Sequence, residues 1–110
     1  PERVISFEIS YKLRKFMEYS VNNEVSNAKP LNVTAAGKTS TAQTGMFDEN
    51  GNEILQAWFA GYFPADNPEY IVTVFVEDGK TGNASAAPVF KEIAEKITIL
   101  EKEQIAERIY

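Results

Sequence analysis

Three runs of strand-forming residues follow one another with connections too short to carry a crossover: about Val33 to Thr44, Ile54 to Phe63 and Tyr70 to Glu77. Asn50-Gly51 marks a tight turn between the first two, and Pro64 to Pro68 separates the second from the third. Parallel neighbours need about a dozen residues or more to cross over, so these connections predict an antiparallel meander. In the second run Trp58 and Tyr62 share one face while Leu55, Phe59 and Phe63 share the other; in the third, Val72, Val74 and Val76 oppose Ile71 and Phe75. Apolar residues on both faces predict a sheet covered on both sides.

A helix is predicted on either side of the strands. From Ser6 to about Val21 the residues Ile9, Leu13, Phe16, Met17 and Val21 recur at helical spacing, with Ser6 as N-cap. Asn22-Asn23 and the stretch from Ser26-Asn27 to Pro30 end it, because Asn favours turns and Pro biases Lys29 away from helical angles. After the Gly-rich Asp78 to Asn83, Ser85 or Asn83 caps a last helix with Pro88 in its first turn. Phe90, Ile93, Ala94, Ile97 and Leu100 form its buried stripe. From Glu101 the stripe loses phase, which leaves 101–110 a poorly specified tail. The reading is a single α+β domain over 1–110: a three-stranded antiparallel sheet flanked by an N-terminal and a C-terminal helix. Two helices are too few for both faces and the free edge of such a sheet. Something outside the chain is therefore expected to cover them, and the chain alone is expected to self-associate.

Sixteen acidic residues against eleven basic ones leave a net charge of −5, so there is no electrostatic case for nucleic acid or an anionic membrane surface as partner. With no Cys and no His, disulfides, thiol nucleophiles and the commonest zinc ligands are excluded, and neither metal nor cofactor is expected. No apolar run approaches the roughly 18 to 20 residues of a spanning helix. Pro1 in place of an initiator Met predicts that the chain was cut from something longer, with any anchor upstream.

The chemistry concentrates in Ala36-Gly37-Lys38-Thr39-Ser40-Thr41-Ala42-Gln43-Thr44-Gly45. Gly37-Lys38-Thr39 could end a phosphate-binding loop, but the first Gly of G-x-x-x-x-G-K-[ST] falls on Asn32 and a helix should begin at the lysine. Thr39 to Gly45 reads as strand instead. A literal K-T-G at Lys80-Thr81-Gly82 lies in a Gly-rich connection with no strand period, and reads as a flexible, solvated turn. Trp58 and Phe59 offer a sugar-stacking platform or a piece of core, and their alternating strand positions favour core.

Together with Ala57-Trp58-Phe59-Ala60-Gly61-Tyr62-Phe63-Pro64-Ala65-Asp66-Asn67-Pro68, the lysine block resembles the last third of the transpeptidase domain of penicillin-binding proteins of the class B type, which includes division, elongation and sporulation versions. The resemblance runs from about Val4 to Ile97 and takes in the first helix, the Tyr70 to Gly79 strand and the Ala86-Ala87-Pro88-Val89-Phe90-Lys91-Glu92-Ile93 helix start. It implies a fragment of the penicillin-binding/β-lactamase-like fold. The implied parent cross-links peptidoglycan by serine acyl transfer on stem peptides ending in D-Ala-D-Ala, at the extracytoplasmic face of the bacterial membrane, and β-lactams trap it. Lys38 would supply positive charge near the proton relay and the substrate carboxylate, the Thr39 hydroxyl would bind that carboxylate, and the Thr41 N–H would be one of two oxyanion donors. Ser40, beside Thr39 on the substrate-binding wall, stands where the family usually has Gly.

The family's other motifs, S-x-x-K and S-x-N, find matches at Ser26-Asn27-Ala28-Lys29 and Ser20-Val21-Asn22. Both read as coincidence, since they occur in reverse order and crowd beside Lys38, and the S-x-x-K match lies in a linker ending at Pro30 instead of opening a buried helix. The nucleophile is thus expected in the remainder of the transpeptidase domain, and the chain alone is expected to be inactive. The competing readings in the same fold are a non-catalytic scaffold, a β-lactam-sensing receptor and a β-lactamase.

Overall fold

The computed structural model describes residues 1–109. Among them the chain forms α1 (Phe7–Tyr19), β1 (Ala36–Phe47), β2 (Glu53–Phe63), β3 (Tyr70–Gly79) and α2 (Ala87–Ile109), with wide π-type turns at Ser20–Glu24 and Gly82–Ala86 and a 3-10 turn at Ser26–Ala28. The strands lie in the order β1-β2-β3 with both pairs antiparallel, which is the expected α+β meander. The first connection is set by Asp48, whose carboxylate accepts from the N–H groups of Asn50 and Asn52 at 2.8 and 2.9 Å. Gly51, at φ +82°, takes the left-handed position that the turn requires. These bonds, that from Asn52 first, hold the Asp48 carboxyl below its ordinary range. β1 starts at Ala36, later than the apolar run from Val33, and runs past Thr44 through a register shift between Gln43 and Phe47.

The two sheet faces differ. Thr39, Phe59 and Val74 stand in register on one, as do Thr41, Ala57 and Val76, and α2 packs over this side. Phe59, Phe63 and Phe90 are its largest fully buried side chains besides Val21, with the Phe59 and Phe90 rings 4.5 Å apart. Burial of each ring contributes about 1.5–3 kcal/mol. The opposite face carries Lys38, Ala60 and Thr73, then Ser40, Trp58 and Phe75. It is open: Ile71 is 83% exposed, and Trp58, whose ring lies 4.5 Å from that of Phe75, is 38% exposed. The expectation of a sheet covered on both sides therefore holds for one face only within this chain. The aromatic pair divides with the faces, Phe59 into the core and Trp58 out of it.

α1 begins as read, with Ser6 Oγ accepting from the Ile9 N–H at 3.2 Å. Its apolar stripe, however, stays largely uncovered, and no α1 residue is fully buried. Only past the helix end, where the turn widens and Val25 N–H donates to the Ser20 carbonyl at 2.8 Å, do Ser20 and Val21 enter the core.

The entry to α2 also differs from the expectation. Neither Asn83 nor Ser85 caps it: Thr81 Oγ1 accepts from the Ala84 N–H at 3.0 Å, and Ser85 Oγ instead accepts from the Lys80 N–H at 2.9 Å. α2 continues unbroken through Ile109, with Glu101 held by the Tyr70 hydroxyl and residues 102–109 exposed. The last residue of the expected tail, Tyr110, lies outside the described residues.

Candidate active site

β1 is an edge strand, paired on one side only, so its other side offers free backbone donors and acceptors to an extended ligand. The strand is seated by small residues. Gly37 faces Gly61 across the ladder, and the Phe59 ring lies over both: a Cβ would stand 2.4 Å from Phe59 Cζ at Gly37 and 2.7 Å from Phe59 Cε1 at Gly61. Ala35 and Ala36 are buried just before it. The Gly-Lys-Thr sequence thus locks its backbone to the core through glycine while the next side chain emerges on the other face.

The four candidate residues fall on one short run and divide by face. Lys38 and Ser40 are exposed on the open side, and Thr39 and Thr41 point to the α2 side. Lys38 Nζ donates to the Thr39 carbonyl at 2.9 Å. Ion pairs among the described residues involve Lys12, Lys15 and Lys96, so the Lys38 charge is uncompensated there. Beside it α1 and the turn after it border an open, mainly apolar groove of about 840 Å³, lined by Leu13, Phe16, Met17, Tyr19 and Ser20, with the charged Lys15, Glu24 and Lys38 also on its walls. A cation at the border of an open apolar groove and a free strand edge is an arrangement that can hold an extended peptide by its backbone and its carboxylate.

The other motif matches fall on turns, and of their residues Ser20 also lines the groove beside Lys38. Ser26, Asn27 and Ala28 form the 3-10 turn, closed by the Lys29 N–H donating to the Ser26 carbonyl at 3.1 Å, and Ser26 is exposed. Ser20 is nearly buried within the π-type turn. Lys80 and Thr81 are exposed, as a solvated turn requires, but Gly82 departs from that expectation. Gly82 is buried, its N–H donates to Thr41 Oγ1 at 3.1 Å, and Asn27 Nδ2 donates to the Asn83 carbonyl at 3.1 Å. This turn backs β1, a contact that sequence reasoning missed. The signal that could have found it is the run of small residues from Gly82 through Ala84, Ser85, Ala86 and Ala87, a composition suited to close backbone approach.

Comparison with known proteins bears on the chemistry. Residues 1–95 match the penicillin binding protein transpeptidase domain. The chain is 35% identical over 71 residues to the peptidoglycan D,D-transpeptidase MrdA of Haemophilus influenzae, covering 56% of this chain and 11% of that protein. The transpeptidase domain of the FtsI4 D,D-transpeptidase from Legionella pneumophila superposes with a TM-score of 0.70 at 35% identity, over 82% of this chain and 35% of that one. Penicillin-binding protein A from M. tuberculosis, in a ceftriaxone acyl-enzyme complex, superposes with a TM-score of 0.73 at 29% identity, over 86% of this chain and 22% of that one.

Proposed function

Because the chain belongs to the class B penicillin-binding-protein transpeptidase family, we propose that it is the C-terminal part of a peptidoglycan D,D-transpeptidase and forms one wall of its acyl-transfer cleft. A serine outside these 110 residues attacks the penultimate D-Ala carbonyl of a stem peptide, the terminal D-Ala leaves as the amine, and an amine from a second stem peptide resolves the acyl-enzyme. Lys38 supplies the positive charge beside the reacting centre and the Thr41 N–H one oxyanion donor. Thr39 and Ser40 bind the donor peptide. β-Lactams occupy the same wall, and the full-length protein works on the extracytoplasmic face of the membrane.

The observation that carries this reading is the setting of Lys38: a cation in no direct ion pair among the described residues, on an edge strand bordering an open, mainly apolar groove. Reaction with a fluorescent penicillin tests it. The full-length protein is expected to become covalently labelled and the 110-residue chain to remain unlabelled. Covalent label on the chain alone would overturn the assignment of the nucleophile elsewhere, and no label on the full-length protein would select the scaffold reading.

A further inference from the structure

Behind the proposed wall stands a turn that the acyl-transfer reading does not use. Gly82 joins residues 41 positions apart, its N–H donating to Thr41 Oγ1 at 3.1 Å. A Cβ on Gly82 would lie 2.6 Å from the Trp58 carbonyl oxygen, 2.8 Å from the Ser40 carbonyl oxygen and 2.9 Å from Thr39 Cβ. None of these atoms is the far end of a flexible side chain, so none can swing aside. Gly82 therefore rests directly on the Ser40–Trp58 pair that joins β1 to β2. The turn is itself braced. Besides the Lys80–Ser85 and Thr81–Ala84 bonds, Ser85 N–H donates to the Thr81 carbonyl at 2.9 Å, Asn27 holds the Asn83 carbonyl, and Ala86 and Ala87 are fully buried.

From this geometry we infer that Gly82 is a positioning residue for transpeptidation: its missing side chain and its bond to Thr41 set the height of the Lys38–Thr41 segment against the cleft. The inference rests on the function proposed above. A methyl group at Gly82 has to push the strand or the turn back by roughly half an ångström or more, and preorganised sites tolerate about 0.5 Å. A misplacement of about 1 Å lowers rates on the order of 100-fold. Because Thr41 carries the proposed oxyanion donor, the displacement acts on the transition state more than on initial docking.

The test is stopped-flow acylation of the full-length protein by a fluorescent penicillin, separating the docking constant Ks from the acylation rate k2. Gly82→Ala is expected to lower k2 about 10-fold or more, with a smaller rise in Ks because Thr39 and Ser40 shift with the segment. Thr41→Val, which removes the acceptor without adding bulk, lowers k2 in the same direction, and Thr41→Ser restores it. A folded Gly82→Ala protein with unchanged k2 would overturn the inference. So would a Thr41→Val effect confined to Ks, which would mean that the hydroxyl meets the ligand, or an equal k2 loss in Ile97→Ala, a core change in α2. Should Gly82→Ala fail to fold, the Thr41→Val and Thr41→Ser pair decides by the same split. Full acylation by Lys38→Ala would instead bring down the functional reading beneath. Loss of acylation in Lys38→Ala with k2 intact in Gly82→Ala brings down the inference alone.

Discussion

Lys38-Thr39-Ser40 and Lys80-Thr81-Gly82 spell nearly the same tripeptide, yet one lies on an open sheet edge and the other ends in the packing behind it. The difference lies in where the backbone groups go. On β1 the extended chain is bonded on one side only, which leaves a row of groups for a ligand. In the turn the N–H groups are consumed at once: Lys80 by Ser85 Oγ, Gly82 by Thr41 Oγ1, Ala84 by Thr81 Oγ1. The exact K-T-G spelling thus has its backbone donors engaged within the fold, while the inexact one keeps a free strand edge.

The largest expected effect breaks what the two segments share. Phe59 covers Gly37 and Gly61 and packs at a tilt against Phe90, so Phe59→Ala should lower stability by about 3–5 kcal/mol in urea unfolding and loosen β1 with it. A loss under about 1 kcal/mol would mean that β1 is seated by other contacts. Next, Lys38→Ala in the full-length protein should slow acylation by about 100- to 1,000-fold, whereas Lys80→Ala should change it less than about threefold. The reverse pattern would transfer the active role to the literal K-T-G. At the turn itself, Thr81→Ala removes the cap on Ala84 and should cost about 1 kcal/mol in thermal unfolding. The smallest change in stability, within about 0.5 kcal/mol, is expected for Ile71→Lys on the open face. That substitution is nevertheless expected to shift the isolated chain from dimer or higher species toward monomer in sedimentation, because Ile71, Phe75 and Trp58 are exposed on one face of the sheet. A wild-type chain that stays monomeric at high concentration would remove the case for self-association.

Much of the architecture was legible in local signals. Asn50-Gly51 needs a left-handed turn residue and obtains it at Gly51; Ser6 lies three residues before an N–H that it caps; and Trp58, Phe59, Tyr62 and Phe63 alternate as strand residues must. The run from Gly37 to Gln43 was readable as strand for the same reason, and with it the placement of Lys38 on β1. The misreadings came where a competing partner, near or far, decided. Ser85 was taken as a cap because Ser is good at capping, but Lys80 claimed its hydroxyl and left the role to Thr81. The apolar spacing of α1 marks one helical face, yet little of this chain lies against that face.

What the sequence determined by itself, then, were the elements and their order, since turn chemistry, capping and the two- and 3.6-residue periods act over a few neighbours. What only the tertiary structure decided was which face of the sheet stays open, and that Gly82 stands against Thr39, Ser40 and Trp58. Those outcomes depend on contacts between residues some 20 to 40 positions apart, and steric fit at that separation leaves no period in the sequence to read.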